Sequence, residues 1–415
     1  MLGSVILYNL KSIKMKLKNI FIIMFFLGVA AFIACKKNEV TSFTRVSIPT
    51  SSPIAAGNIG GFTKGTLQTG NVYTITSDLT VKKGDTLSAQ PGAIVIVKNN
   101  AQINIQGVLN LLGSRAQPIF FNSDSNKPGS WGGFQCDTAQ AVTIKWAHVD
   151  NTGGPNASGS ARRSIYVNAP INVDIEDSWF SNGQDDFMGL NHAHVTILRN
   201  TVSSSGSTDG EGINLKSGVT GTVAYNVIFS QAGSGIKLET NKNAPFPQTV
   251  VDVYNNTLVS NGWRRGAAEP GRGVSIGLNA IGHVYNNIIV NCYQGIEIFS
   301  DADIAHTTYG NNLFYASVVS YNDNTTKPPI VIDLRANFYP TDGVGKPQAT
   351  DLISKSIGNF DPMFVSFTNV VASPNGAPYT FDLHLQNGSP AFGVGNPSFN
   401  LDLGAYTTDG KGNQH

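Results

Sequence analysis

Four carboxylates fall in two short glycine-bracketed segments, Gly183-Gln184-Asp185-Asp186 and Asp209-Gly210-Glu211-Gly212. Like charges brought close together repel unless a cation or a proton lies between them. Asp185, Asp186, Asp209 and Glu211 therefore form a candidate Ca²⁺ site, because that ion takes several carboxylate and carbonyl oxygens. Lys216, Lys237 and Arg272 follow downstream and supply candidate bases or clamps for an anionic group. A carboxylate pair at a defined separation is also what glycoside hydrolysis needs. The plainer readings stand beside these. Asp and Glu at turns accept backbone N–H bonds, and Lys216 and Lys237 beside Glu239 suit a surface ion pair contributing about 0–1 kcal/mol.

Further candidates lie outside this strip. The stretch Asn261-Gly262-Trp263-Arg264-Arg265-Gly266 is an insertion in which Trp263 and Arg264 would meet a sugar ring or an anionic one. A loop aromatic packed on its own coil is the alternative. His192 and His194 lack the Cys or third His that would complete a zinc site. The glycines have no strand-to-helix context, so a phosphate-cradling loop is excluded.

These residues gain a spatial relation only through a repeat. Val223-Ala224-Tyr225-Asn226-Val227-Ile228, Val253-Tyr254-Asn255-Asn256-Thr257-Leu258 and Val284-Tyr285-Asn286-Asn287-Ile288-Ile289 lie over one another. The shared column is Asp177, Asn200, Asn226, Asn256, Asn287 and Asn312, with steps of 23, 26, 30, 31 and 25 residues. Each unit orders a short alternating strand, an Asn turn, a second strand, a Gly and a third strand. Alternation points one face of each strand inward. No single coil can bury its own face, whereas stacked coils pair in parallel about 4.8 Å apart. Asn tolerates left-handed backbone, so the Asn column is expected at the bends.

Aligning the third strands on glycine sets Asp186 beside Gly212, Gly235, Gly273 and Gly295. One position earlier come Asp185, Glu211, Ser234, Arg272 and Gln294. The outward positions are Asn214, Lys237, Ser275 and Glu297, then Lys216, Glu239, Gly277 and Phe299. The four carboxylates should then occupy neighbouring coils.

The opening segments, Gln90-Pro91-Gly92-Ala93 and Ala101-Gln102-Ile103-Asn104-Ile105-Gln106-Gly107 among them, resemble secreted parallel β-helix proteins of the pectate-lyase-like superfamily. So do Asp361-Pro362-Met363-Phe364 and Asp402-Leu403-Gly404-Ala405-Tyr406 near the end. The resemblance covers about residues 60–410 and implies an all-β, single-stranded right-handed parallel β-helix, a solenoid with very little helix outside the signal peptide. It is specific for fold and not for activity. In the lyases of this kind, Ca²⁺ or a basic residue neutralises a uronate carboxylate while Lys or Arg removes a proton. That resemblance would give Asp185, Asp186, Asp209 and Glu211 the metal or base-tuning role, and Lys216 or Arg272 the role of base or clamp. Asp186 is the carboxylate with a candidate catalytic part. Asn214, Lys237, Glu239, Trp263, Arg264 and Glu297 would meet the glycan. Gly183-Gln184-Asp185-Asp186 resembles the double-Asp segment of polygalacturonases, but the Gly-His-Gly and Arg-Ile-Lys segments of that family are absent.

Lys14, Lys16 and Lys18 precede an apolar run of 14 residues, Ile20 to Ile33. That is too short to span a bilayer and suits a signal peptide. Phe32-Ile33-Ala34-Cys35 resembles a lipobox, which implies acylation at Cys35 and an anchor of lipid at the outer membrane or cell surface. The expected organisation is a signal peptide over 1–34, a tether over 35–57, the β-helix over 58–410 and a tail over 411–415. With 44 Gly, 13% charged residues and a net charge of +1 over 415 residues, the chain has no basic stripe for nucleic acid. Cys136 and Cys292 lie several coils apart and should be unpaired, buried thiols. The sequence thus presents two functions for a monomer with an acidic polysaccharide in its third-sheet groove: binding alone, or β-elimination with Ca²⁺.

Overall fold

The computed structural model describes residues 43–48, 51–244, 246–325 and 327–415. The signal segment and Cys35 lie outside the described residues. Period-two alternation becomes short strands, three to a coil. One coil runs through Thr220–Ala224, Val227–Gln231 and Ile236–Glu239. The next coil pairs with it in parallel, Val223 opposite Val253, Val227 opposite Thr257 and Ile236 opposite Val274. Three parallel sheets result, and the first holds ten strands among the described residues. The second and third are joined by Val72–Val81, which pairs first with Ile94–Val97 and then with Ile103–Ile105. No helix occurs among the described residues.

Inward residues such as Val223, Ile228, Ile236 and Val253 are fully buried in one continuous core. Each such side chain stabilises the fold by about 1.5–3 kcal/mol when buried. Cys136 and Cys292 are free and buried there, as expected.

The Asn file is real and its chemistry is a ladder. Asn226 Nδ2 donates to Asn256 Oδ1 at 2.9 Å, Asn256 to Asn287 at 3.0 Å, and Asn287 to Asn312 at 3.0 Å. Each Oδ1 also accepts the backbone N–H of the residue one coil before, as Asn287 Oδ1 does from Asn256 at 2.9 Å. Two expectations need correction. Ser178, not Asp177, occupies this file, since its N–H donates to Asn200 Oδ1 at 3.0 Å. The left-handed backbone belongs to the preceding residue, at Asp177, Arg199, Tyr225, Asn255 and Asn286. The ladder Asn is kept for its amide, which both donates and accepts.

The third-sheet register is likewise shifted by one from the glycine alignment. Met188 lies opposite Ile213, so Asp186 stands beside Glu211 and Phe187 beside Gly212. Glycine recurs at the latter position because a Cβ on Gly235 would lie 2.9 Å from the Gly273 carbonyl oxygen.

The last parallel strand, Leu352–Ile353, pairs with Leu313–Tyr315. Beyond it the chain turns back over the outside of the second sheet. Phe364, Leu383 and Leu403 form a second core there with Val227, Ile288 and Leu313. The end packs rather than trailing as a tail: Asn413 is buried and His415 stacks on Trp179 with ring centroids 3.8 Å apart. Part of the expected tether also touches the first sheet, where Asn172 donates to the Phe43 carbonyl at 2.6 Å.

Replacing Asn256 by Ala strands a backbone N–H, an amide and a carbonyl inside the ladder, so a loss of about 2–4 kcal/mol is expected in denaturant unfolding. Asn256→Asp should lose nearly as much, because a carboxylate cannot donate. Full stability of the Asp variant would show that the donor half of the ladder is dispensable.

Candidate functional site

The one-residue shift brings Asp186 and Glu211 into direct contact on the third sheet. Asp186 is buried and accepts from Arg163 Nε at 3.0 Å, Asn214 Nδ2 at 2.9 Å and the Glu211 N–H at 2.8 Å. Despite its burial, hydrogen bonds from Glu211 and the Arg163 charge hold Asp186 below the usual carboxylate range. Burial and then the Asp186 charge push Glu211 well above it. Glu211 therefore holds its proton to a higher pH than Asp186 does.

Cations in adjacent coils close the network. Arg265 Nη1 lies 3.0 Å from Glu211, and Arg265 also pairs with exposed Asp209. Lys237 reaches Glu211 at 3.7 Å and Glu239 at 3.3 Å, while Lys216 reaches Glu239 at 3.1 Å. Burial opposes the charge on Lys237, yet Glu211 and Glu239 raise it above its ordinary value, so it stays an ammonium. Burial, with Asp186 adjoining, pushes Asp185 up to about 6. Its Oδ1 accepts the Asp186 N–H at 2.7 Å.

Asp186 and Glu211 adjoin, Arg163, Arg265 and Lys237 lie against them, and Asp185 sits one position off the Asp186–Glu211 column. Among the described residues, no three His, Cys, Asp or Glu side chains are grouped to hold a metal.

Two further expectations are corrected. Trp263 is 4% exposed, donates Nε1 to the Asn291 carbonyl at 2.8 Å and packs on Tyr293 and Tyr321. It is core, because the insertion folds its indole inward. Arg264 is spent on carbonyls and hydroxyls of the chain: Gly206 at 2.8 Å, Ser230 at 2.8 Å and Ser373 at 2.9 Å. It pins the returning C-terminal segment and is closed to a ligand. Burial lowers its guanidinium to about 10.

What the sheet does offer is a groove of about 550 Å³. Its floor is Lys237, Arg272, Ser275 and Gln294, with Glu239 and Phe299 along one side. The insertion at Arg265–Pro270 forms one wall, and Ile330 and Ile332 of the antiparallel pair Ser320–Asp323 and Ile330–Asp333 form the other. Arg272 pairs with buried Glu297 and lies 5.1 Å from the Phe299 ring centre. Of the expected site residues, Lys237, Glu239 and Arg272 line this groove. Lys216, Asn214 and Glu297 flank or underlie it, and Asp185, Asp186, Asp209 and Glu211 form the ion network next to it.

A family model described as a right handed beta helix region matches residues 132–314, the span that carries this network and most of the groove floor. The chain is a right-handed parallel β-helix. No curated protein matches it. Sequence reasoning missed Arg163 and the paired role of Arg265. The ladder contained the signal for the first, since Arg163 is one coil before Asp186 in the same column.

Glu211 gives this network a pH signature. The unfolded chain releases its Glu211 proton near pH 4.3, whereas the β-helix retains it to a higher pH. Wild-type stability is therefore lost relative to Glu211→Gln as pH climbs from about 4.3 through the raised folded value. The melting-temperature advantage of Glu211→Gln should grow between pH 5 and 8 in thermal scans. A constant or shrinking difference would show that the fold does not raise Glu211.

Proposed function

We propose that this β-helix binds polysaccharide in the third-sheet groove and performs no bond-breaking chemistry there. The observation that carries the reading is a polar groove, flanked by the Tyr293 and Phe299 rings, whose charges are already matched. Lys237 and Arg265 face Glu211 and Glu239 or Glu269, and Arg272 faces Glu297. A lyase base must accept a proton, and Lys237 is held protonated by its carboxylate neighbours. The Arg272 guanidinium is bonded to Glu297 and to the Pro270 carbonyl.

The same balance bears on the ligand. Asp342 adds a further carboxylate to the lining, so the groove offers no excess positive field to a uronate chain. A neutral, hydroxyl-rich chain fits better than the acidic glycan expected from the resemblance. The lipobox-like Phe32-Ile33-Ala34-Cys35 supports display from a membrane through a lipid anchor, with the pectate-lyase-like resemblance supporting an extracytoplasmic setting.

Calorimetry with cello-, xylo- and galacto-oligosaccharides should show saturable binding, weaker or absent with oligogalacturonate. Ser275 lies on the groove floor, and Ser275→Phe, or Ser275→Leu should the Phe variant melt early, should weaken that binding about tenfold or more, equivalent to about 1.4 kcal/mol. A rise in unsaturated-uronate absorbance on mixing with acidic glycans would overturn the non-catalytic reading. Undiminished binding by Ser275→Phe would move the ligand out of the groove.

A further inference from the structure

The outer face of the second sheet changes character along the solenoid. From Val227 to Leu313 it is covered by the returning C-terminal segment. Toward the earlier coils that cover stops, and the outward column becomes Phe120, His148 and Trp179. These rings form a pile: Phe120 on His148 at 4.8 Å and 11°, and His148 on Trp179 at 4.3 Å and 3°. His415 extends it by stacking on Trp179. Phe120 is 37% exposed, and His148 and Trp179 are half-buried.

Where the pile meets the cover, a cavity of about 300 Å³ opens between Trp179 and Ala377-Pro378-Tyr379. The next outward column forms its base, Asp150 opposite Ser181 and Ser181 opposite Ser203. Asp150 is the anomaly. The largely buried carboxylates of the third sheet each have an Arg or Lys against them, or lie beside one that does. Among the described residues Asp150 has only the Ser181 hydroxyl as a side-chain partner. Burial pushes its carboxyl up to about 6. A desolvated acceptor group without a cation gains from any ligand that brings donors.

We infer that this rim cavity is a second saccharide site, taking one neutral pyranose unit whose hydroxyls donate to Asp150 while its carbon-bound hydrogens pack against the edge of the Trp179 ring, whose faces His148 and His415 occupy, and against Pro378 and Tyr379. The size, one apolar wall and one convergent polar group are the usual make-up of a small-ligand pocket. An ammonium ligand would pair with the Asp150 carboxylate but would leave the apolar wall of Ala377, Pro378 and Tyr379 unused, and it is kept as an outcome of the test. The inference extends the polysaccharide-binding reading to a second face.

Tryptophan emission isolates the site. The chain has four Trp; Trp131 and Trp263 are buried in the core, and Trp146 lies 5.9 Å from Trp179 in the ring cluster. Titrating the full chain with methyl glucoside, methyl galactoside and methyl xyloside should give a saturable emission change and protection from iodide quenching. Ser275→Phe should retain that change. Asp150→Leu and Trp179→Leu, each checked for an unaltered melting temperature, should weaken it about tenfold or more. Should Trp179→Leu melt early, Asp150→Leu with Trp179→Phe answers the same question. An emission change that survives Asp150→Leu overturns the inference, as does a response to methylamine or glucosamine without one to the neutral glycosides. Groove binding by calorimetry with silent emission sinks this site alone. Silence in both experiments sinks the polysaccharide reading as well.

Discussion

Backbone pairing between successive coils is the constraint on which everything else rests. Each short strand has donors and acceptors that only the coils above and below can meet, and an apolar face it cannot bury alone. Once coils stack, residues some two dozen apart stand about 4.8 Å from one another. That spacing is too close for any buried polar group to be left to chance. The Asn file answers it with amides that donate forward and accept back. The third sheet answers it with ion pairs: Arg163 with Asp186 and Lys237 with Glu211 each bridge neighbouring coils.

The outer faces resolve the same constraint in different ways, and those differences create the sites. Charged columns on the third sheet neutralise one another, which leaves a surface polar enough for hydroxyls and without a strong field. The outside of the second sheet is apolar from Val227 onward, so it needs a cover there, which the C-terminal segment supplies before reaching back to single contacts at Ser204, Thr201 and Trp179. The groove arises where the chain departs from its repeat. The Trp263–Gly271 insertion and the Ser320–Asp333 hairpin stand off the stack and wall in a floor that would otherwise be flat. Trp263 and Arg264 hold the base of that insertion, which is why neither is free to meet a ligand.

The repeat was legible because its signals are local and redundant: alternating apolar residues, a Gly before the third strand, an Asn after the first. Register was legible only where those markers persist. The coil holding Asp186 has Phe187 where later coils have glycine, so an alignment anchored on glycine slides by one residue. In a strand that slip exchanges the two faces. It hid the Asp186–Glu211 contact and suggested a spread of four carboxylates suited to a metal. A separate slip of one residue, where the Asn of later coils is replaced, put Asp177 in a file that belongs to Ser178. Trp263 and Arg264 were misread for another reason. An insertion has no period, so nothing in its sequence says which side chains turn inward.

The unmatched atoms that remain on the third sheet point in one chemical direction. Asn214 Oδ1, Gln294 Oε1 and Glu297 Oε1 are buried without a hydrogen-bond partner, and all three are acceptors. Gln294 lines the groove, and Glu297 lies beneath it, bonded through its other oxygen to Arg272. A buried acceptor left unmet costs about 1–3 kcal/mol, a cost relieved by a donor rather than by another anion. Carboxylate-bearing ligands would add acceptors to a place that already has too many. Sugar hydroxyls bring the donors, and they need no charge to do it.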